Sequence, residues 1–271
     1  MQRSVSELTD VERETTEASD TGSKDPVAAY YERYHRAGER GFDLDYSRAP
    51  KVWELLESAI PAGSRCLDLG CGDGHTMGPW AQKRKLSYVG VDIAASAVEQ
   101  ARARGLEADQ VDDSGRLPYD DASFDAVICS EVIEHLFDPA ATLAEGVRVL
   151  RPGGVMMVST PNVAYWRRRL DLALLGRWNP FGYSLAVEQP WGDPHIRFFN
   201  PGALSRLLRQ VGCVDVTVEG TGGGLLLDVP WVGRRLRAQG RHGGPPYQLL
   251  EQTWPALFGC FLMGRGYKPK H

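Results

Sequence analysis

A short apolar segment at residues 65–69 runs directly into three glycines at alternate positions, Gly70, Gly72 and Gly74. A backbone turn this tight needs positive φ angles and close approach of neighbouring groups, which glycine tolerates at the least cost. A strand followed by such a turn is typical of a βαβ unit that binds a nucleotide-like ligand beyond the end of the strand. The turn therefore restricts the chain to a small set of α/β folds.

Two acidic residues near this turn bear on which ligand it holds. Asp92 ends the next apolar segment, residues 88–91, and an acid at this place in a βαβ unit accepts hydrogen bonds from ribose hydroxyls. Asp68 precedes the first glycine by two positions, where a carboxylate would repel a pyrophosphate but attract the ammonium of an amino acid. His75 also occupies the position at which a dinucleotide fingerprint requires glycine. The pattern favours S-adenosylmethionine over a nicotinamide cofactor, and an ordinary glycine-rich turn is the alternative.

The region from about residue 50 to 220 resembles class I S-adenosylmethionine-dependent methyltransferases. Besides the glycine turn and the strand that ends in Asp92, three further segments are similar to family motifs and follow in the family's order. They are the D-x-x-x-L-P-[FY] segment 113–119, the fourth-strand segment 123–129 and the turn 150–154. The resemblance implies an α/β fold with a doubly wound, mostly parallel seven-stranded sheet, the Rossmann-like methyltransferase fold. A catalytically silent S-adenosylmethionine-binding module and a nicotinamide oxidoreductase are the alternatives.

The same resemblance implies which residues contact the cofactor. Asp113 would approach the amino group of the adenine, and the backbone of Ser114 would approach the adenine ring. The complete set of predicted cofactor-binding residues is Tyr31, Asp68, Gly70, Gly72, Gly74, Asp92, Ile93, Asp113, Ser114 and Ser130.

Predicted strands and helices alternate along the chain, which indicates a parallel sheet with helices on both faces. Strands are predicted at 65–69, 87–91, 106–111, 125–129, 154–159, 214–219 and 258–265, and helices at 49–60, 74–83, 94–103, 139–149 and 201–211. Two less regular stretches, 162–198 and 220–257, interrupt the alternation. Both can reach the carboxyl edge of the sheet, where ligands of such folds bind, so we assign them to the substrate pocket.

The beginning of the chain differs from the rest in composition. Residues 1–24 are polar and acidic with few large apolar side chains, so we predict a disordered tail, followed by a single domain at 25–271. A helix near the start of this domain carries tyrosines three and four positions apart, which places them on one face. This face either packs into the core or forms an N-terminal helical lid over the cofactor, and both interpretations of Tyr30 and Tyr31 stay open.

Composition excludes several classes of protein. With 271 residues, 42% hydrophobic and 24% charged, the chain is typical of a globular domain, and its net charge of −4 argues against a chain-wide nucleic-acid surface, so no DNA partner is expected. No apolar run reaches the roughly 18 residues of a membrane span, and no signal peptide is visible. The five scattered cysteines include no C-x-x-C pair and favour reduced thiols, which predicts a cytoplasmic protein.

A second constellation follows the predicted fourth strand. If the segment is helical, Glu131, Glu134 and His135 share one face, and two carboxylates with an imidazole can bind a divalent metal. The E-x-x-E-H pattern resembles the metal motif of ubiquinone-biosynthesis O-methyltransferases and of small-RNA 2′-O-methyltransferases. The latter add a downstream histidine, for which His195 is the candidate here.

Three roles for these four residues stay open. They hold Mg²⁺ or another divalent metal, or His135 or His195 is a catalytic general base, or all four are structural. E-x-x-E-H also occurs in methyltransferases that need no metal, so the pattern alone does not decide among these roles.

The sequence predicts O-methylation of a small-molecule, lipid-linked or sugar-bearing acceptor, with an RNA-end 2′-O-methyltransferase as the alternative enzyme. Aromatic and apolar residues in 162–198 suggest an acceptor with an apolar or planar part. The basic run Arg167, Arg168 and Arg169 beside several leucines is typical of a solvated face, but it also suits an anionic substrate or peripheral contact with a membrane surface. The oligomeric state is not predicted.

Overall fold

A computed structural model describes residues 26–36, 54, 57–58, 60–112, 116–178, 194–222, 250 and 253–270. Several predictions therefore fall outside the described residues: the tail at 1–24, most of the helix 49–60, and the residues Asp113 and Ser114. Among the residues that are described, no helix is long and apolar enough to cross a membrane.

A seven-stranded sheet organises the described part of the chain, as predicted. Its strands are β1 (Arg65–Leu69), β2 (Ser87–Asp92), β3 (Glu107–Gln110), β4 (Phe124–Ser130), β5 (Leu150–Pro161), β6 (Val214–Thr221) and β7 (Phe261–Tyr267). The spatial order is β3-β2-β1-β4-β5-β7-β6. The first five strands pair in parallel, whereas β7 runs antiparallel to both β5 and β6. The mostly parallel, doubly wound sheet is thus confirmed.

Helices cover both faces of this sheet. They are α1 (Pro26–Arg36), α2 (Gly78–Lys83), α3 (Ala95–Ala103), α4 (Pro139–Val149), α5 (Trp166–Leu175), α6 (Pro201–Gln210) and the short α7 (Pro255–Phe258). One buried apolar cluster includes Leu143 of α4 and Leu204 of α6, and a second includes Trp80 of α2 and Val98 of α3. Because apolar clusters lie on both faces, the central strands are buried on both sides, which is typical of parallel sheets.

Local chemistry explains where the prediction and the structure differ. The helix predicted at 74–83 begins only at Gly78, because Gly74 has a φ of +74° and cannot belong to a right-handed helix. Strand β5 is longer than predicted and extends through Pro161, where it continues to pair with β7. The helix after Asn200 starts as predicted, since the Asn200 side chain accepts a hydrogen bond from the backbone N–H of Ala203.

The order of the strands in the sheet determines where a ligand-binding crevice is expected. After β1 the chain crosses to β2 on one side, and after β4 it crosses to β5 on the other side. Ligands of open α/β sheets bind at the carboxyl edge where this direction changes. The loops that follow Leu69 and Ser130 therefore meet at the expected binding crevice.

Candidate active site

The glycine turn after β1 has the positive φ angles and close contacts that the sequence predicts. Gly70, Gly72 and Gly74 have φ angles of +71°, +55° and +74°. A Cβ atom on Gly70 would lie 2.5 Å from a methyl carbon of Val132, and one on Gly74 would lie 2.3 Å from a methyl carbon of Leu106. A Cβ on Gly72 would meet only a ring carbon of His35, at 3.6 Å. Gly70 and Gly74 are thus required by packing, whereas Gly72 leaves space where a ligand can approach the backbone.

Asp68 lies within β1 and is almost completely buried. The Tyr88 hydroxyl donates a hydrogen bond of 2.7 Å to its carboxylate. Burial raises the pKa of Asp68 to about 7; the Tyr88 hydrogen bond opposes this shift and the nearby Asp92 adds to it. A buried carboxyl group with no cation beside it in the described part of the chain fits the ammonium group of an amino-acid moiety.

Asp92 ends β2 and is tied to the glycine turn. One carboxylate oxygen accepts a hydrogen bond from the backbone N–H of Gly72 at 2.9 Å, and the other accepts from Ala94 at 3.0 Å. Each oxygen has a second lone pair, so both can still accept a ribose hydroxyl. The neighbouring Ile93 is half-buried, and its carbonyl accepts a hydrogen bond from Gln110.

Helix α1 packs beside these two loops. The carboxylate of Glu32 accepts a hydrogen bond of 3.1 Å from the backbone N–H of Ser96 and one of 2.7 Å from Arg36. Burial alone would raise the pKa of Glu32, but these two hydrogen bonds outweigh it and lower that pKa. The helix therefore docks through an ionised carboxylate on the first turn of α3, immediately after Asp92.

Tyr31 on α1 connects the cofactor loops with the histidines. Its ring lies edge-on to His135, with centroids 6.0 Å apart. Burial raises the pKa of its phenol well above the usual value, and the neighbouring Tyr30, Glu134 and Asp92 add to the shift. Because Tyr31 is half-buried between the two groups of residues, the structure supports the N-terminal lid.

The segment after β4 is a turn, so the helical face on which Glu131, Glu134 and His135 would have been aligned does not form. Glu131 has a φ of +57°, a left-handed conformation that a helix does not admit and that is uncommon for residues other than glycine. The backbone N–H of His135 bonds instead to the carbonyl of Val132, three residues back. The tight turn still brings Glu134 and His135 together.

Three of the four predicted metal ligands lie close together. Glu134, His135 and His195 each offer a ligand atom, and these atoms all lie within 4.8 Å of one another. The rings of His135 and His195 have centroids 4.4 Å apart. Two imidazoles and a carboxylate form a donor set that suits a divalent metal ion.

Glu131 lies outside this group. Its carboxylate accepts a hydrogen bond of 2.9 Å from Ser159, and Ser159 also lies 2.8 Å from the hydroxyl of Ser130. The predicted cofactor residue Ser130 and the predicted ligand Glu131 are therefore linked to β5 through Ser159. The left-handed backbone at Glu131 causes this, since the helical face that would have aligned the two glutamates does not form.

Sequence reasoning missed the residues that hold the cluster in place. The hydroxyl of Thr160, at the end of β5, donates a hydrogen bond of 3.0 Å to the Glu134 carboxylate. The backbone carbonyl of Glu134 accepts bonds from Ile196 and Arg197, and the carbonyl of Pro194 lies 3.3 Å from His135 Nδ1. No sequence pattern marks these contacts, because the partners are 26 to 63 positions apart and several are backbone atoms.

The two predicted acceptor-side stretches are joined at Asn162. Its side-chain amide, fully buried, donates to the carbonyls of Pro255 and Gly259 at 3.0 and 2.7 Å. Asn162 also forms a parallel bridge with Phe199. The described parts of 162–198 and 220–257 therefore meet at the end of β5, close to the histidines, although residues 179–193 and 223–249 lie outside the described residues.

Comparisons with known proteins agree with this geometry. A family model described as "Methyltransferase domain" matches residues 43–218. A probable S-adenosylmethionine-dependent methyltransferase of Mycolicibacterium smegmatis is 36% identical over 152 residues, which cover 56% of this chain and 52% of that protein. The chain thus matches about half the length of that relative.

A second relative is the ubiquinone biosynthesis O-methyltransferase of Xanthomonas oryzae pv. oryzae, 34% identical over 180 residues, which cover 64% of this chain and 70% of that protein. A crystal structure from Thermotoga maritima, of an S-adenosylmethionine-dependent methyltransferase and possible histamine N-methyltransferase, matches with a TM-score of 0.60 at 22% identity. That match covers 89% of this chain and 99% of the other and concerns the fold. The chain belongs to the methyltransferase domain family, with the Rossmann-like fold of class I S-adenosylmethionine-dependent methyltransferases.

Proposed function

We propose that this protein uses S-adenosylmethionine to methylate an oxygen atom of a small acceptor that is lipid-linked or sugar-bearing. The observation that carries the proposal is the position of Tyr31, which contacts His135 and lies near Asp92. The predicted cofactor site and the histidine pair are therefore adjacent, as an in-line transfer between a bound donor and a bound acceptor requires.

The cofactor site fits S-adenosylmethionine in charge and in shape. Asp68 would accept from the ammonium group, Asp92 would accept from the ribose hydroxyls, and the open face of Gly72 would admit the ligand close to the backbone. The sulfonium supplies the electrophilic methyl group when the cofactor is bound. The chain then has to orient the acceptor and remove its proton.

An oxygen acceptor is a weak nucleophile at neutral pH and needs a base or a metal ion. Glu134, His135 and His195 would hold a divalent ion, which lowers the pKa of an acceptor hydroxyl beside it. Without an ion, His135 or His195 can take the proton directly. The described donor set favours the metal version, since a carboxylate and two imidazoles lie together with their ligand atoms within 4.8 Å.

The acceptor class is inferred from the surroundings of the histidines and from one relative. Phe137, two positions after His135, and Phe198, three positions after His195, are both exposed. The Xanthomonas relative is named a ubiquinone biosynthesis O-methyltransferase, which supports O-methylation. An apolar rim beside the histidines favours an acceptor with an apolar part. We include a cytoplasmic location in this proposal, which the five scattered cysteines without a C-x-x-C pair favour.

The test is methyl transfer from labelled S-adenosylmethionine to a panel of catechols, phenols and sugar alcohols, with and without lipid tails. We expect a chelator to abolish transfer and Mg²⁺ or Mn²⁺ to restore it, while calorimetry shows unchanged cofactor binding. His135→Ala, His195→Ala and Glu134→Gln should each lower the rate by about 10²–10⁴-fold. Glu99→Gln, an exposed carboxylate on α3, is the matched control.

Other outcomes separate the alternatives. One such outcome is activity that resists the chelator, decreases as the pH is lowered and is lost in one histidine variant. It would support a histidine general base and exclude a catalytic metal ion. Full activity in chelator and in both histidine variants would contradict both versions. Transfer to RNA ends, or cofactor binding without transfer to any acceptor, would replace the proposed function by one of its two alternatives.

A further inference from the structure

Helix α5 carries apolar side chains that no described part of the chain buries. None of its residues is buried, and the four leucines Leu170, Leu172, Leu174 and Leu175 are all exposed, Leu174 to 74%. Leucines on the helices of a globular domain normally face its core, and clustered exposed ones mark an interaction surface. The leucines of α5 therefore indicate a partner that provides an apolar environment.

The charge around these leucines has the opposite sign to that of the whole chain. Between residues 166 and 178 there are four arginines and one aspartate, so the segment carries 4 − 1 = +3 while the chain carries −4. Arg169 at the start of the helix and Arg177 just beyond its end are exposed. The partner of this surface is therefore expected to be anionic as well as apolar.

Aromatic residues extend the same surface towards the histidines. Trp178 is half-exposed and packs edge-on against Phe198, with ring centroids 5.7 Å apart. Phe198 lies three positions after His195. Tryptophan is enriched at the boundary between lipid and water, where its ring is apolar and its N–H can reach water.

We propose that α5 and Trp178 dock the protein on an anionic lipid membrane, with Leu170 and Leu174, one helical turn apart on the same face, entering the headgroup and acyl boundary. Interfacial helices combine exposed leucines, flanking arginines and tryptophan in this way, and they enter such a boundary by about 5–10 Å. Arginine close to the surface is attracted by anionic lipids. No membrane-spanning segment is needed for this contact.

Two other partners fit less well. A second copy of the chain packed symmetrically on α5 would bring two segments of charge +3 against each other, which is repulsive. An RNA strand would use the arginines but gain nothing from four exposed leucines. An anionic membrane satisfies both the charge and the apolar surface.

The location of the surface deepens the proposed function, on which this step rests. Helix α5 starts four positions after Asn162, which bridges to Phe199 beside the histidine segment. A protein docked through α5 would hold its histidines close to the lipid boundary. The acceptor is then one that resides in the membrane, with its reactive hydroxyl at the headgroup level.

The test is flotation of the full-length protein with vesicles of phosphatidylcholine alone or mixed with phosphatidylglycerol, without acceptor or metal. We expect binding to the anionic vesicles that weakens as salt is added. The double variant Leu170→Ser with Leu174→Ser should lower binding at least about tenfold, and Arg169→Gln with Arg177→Gln should lower it by about tenfold at low salt. Val214→Ser and Arg209→Gln, exposed residues elsewhere on the fold, are the matched controls.

Unchanged melting temperatures and unchanged S-adenosylhomocysteine affinity would show that the variants fold. No binding to anionic vesicles, or equal binding by the leucine variant, would overturn the proposal. So would a concentration-dependent dimer that disappears in the leucine variant, or oligonucleotide binding that only the arginine variant loses. Vesicle binding without O-methylation of any lipid-linked or sugar-bearing acceptor would instead contradict the proposed function, while leaving the surface in place.

Discussion

The cofactor side and the acceptor side of the crevice are assembled differently. On the cofactor side, the backbone N–H groups of the glycine turn donate to the end of the next strand, Gly70 to the carbonyl of Val91 and Gly72 to the carboxylate of Asp92. On the acceptor side, Glu134 depends on Thr160 and His135 lies against Pro194, partners 26 and 59 positions away. The cofactor-side contacts stay within one βαβ unit, whereas the acceptor side joins separate segments of the chain and can therefore change without disturbing the cofactor side.

The largest effect that we predict is a loss of stability from a substitution in the glycine turn, on the cofactor side of the crevice. Gly70→Ala would place a Cβ atom 2.5 Å from a γ-carbon of Val132, a short and stiff side chain, in a backbone with positive φ. We expect the free energy of unfolding to fall by about 3 kcal/mol or more from strain and overlap together. Chemical denaturation at constant pH measures this loss.

Two other glycines separate the causes of that loss. Gly63 has a φ of +83° with nothing within 4 Å of its ideal Cβ, so Gly63→Ala should show the backbone strain alone, about 1 kcal/mol. Gly72→Ala should lower the free energy of unfolding by nearly as little as Gly63→Ala does. It should nevertheless weaken S-adenosylhomocysteine binding, because the open side of Gly72 faces the proposed ligand site. If Gly70→Ala and Gly63→Ala lower the free energy of unfolding by the same amount, the close contact between Gly70 and Val132 does not contribute to stability.

The next prediction concerns Asp68, because burial raises the pKa of its carboxyl group to about 7. An amino-acid ammonium group prefers the ionised carboxylate, so the affinity for S-adenosylhomocysteine should rise as the pH increases through about 7, with release of a proton on binding. Asp68→Asn should remove this pH dependence and weaken binding at pH 8 by about 10–100-fold. Calorimetry in buffers of different ionisation enthalpy measures both quantities.

The cofactor-free protein should respond in the opposite direction. Since the folded carboxyl binds its proton more tightly than the unfolded one, its contribution to stability is fully present below about pH 4 and is lost as the pH rises to about 7. Asp68→Asn should therefore raise the melting temperature at pH 8 while it lowers ligand affinity. If Asp68→Asn lowers both the melting temperature and the ligand affinity at pH 8, Asp68 is structural. The control Glu99→Gln should change neither the melting temperature nor the affinity.

The sequence predicts the cofactor side better than the acceptor side, for a physical reason. Strand β1 has the predicted bounds, and Gly70, Gly72 and Gly74 have the positive φ angles that their spacing implies, because both depend on neighbouring residues. The spacing of Glu131, Glu134 and His135 fits a helix as well as a turn, since periodicity does not reveal that Glu131 adopts a left-handed backbone. Tertiary contacts of the kind that Thr160 makes with Glu134 have no local signal at all.

The smallest effect concerns helix α1, which touches both sides of the crevice. Glu32→Gln should weaken the bonds to the Ser96 N–H and to Arg36, and with them the docking of the helix that carries Tyr31. We expect cofactor affinity and turnover to fall together by about fivefold, the loss of roughly 1 kcal/mol. Glu54→Gln, on an exposed side chain before β1, is the control. A change in cofactor affinity alone would show that α1 serves only the cofactor side, and a change in turnover alone would show that it serves only the histidines. An equal fall in both would make Tyr31 the link between two sites that are otherwise assembled independently.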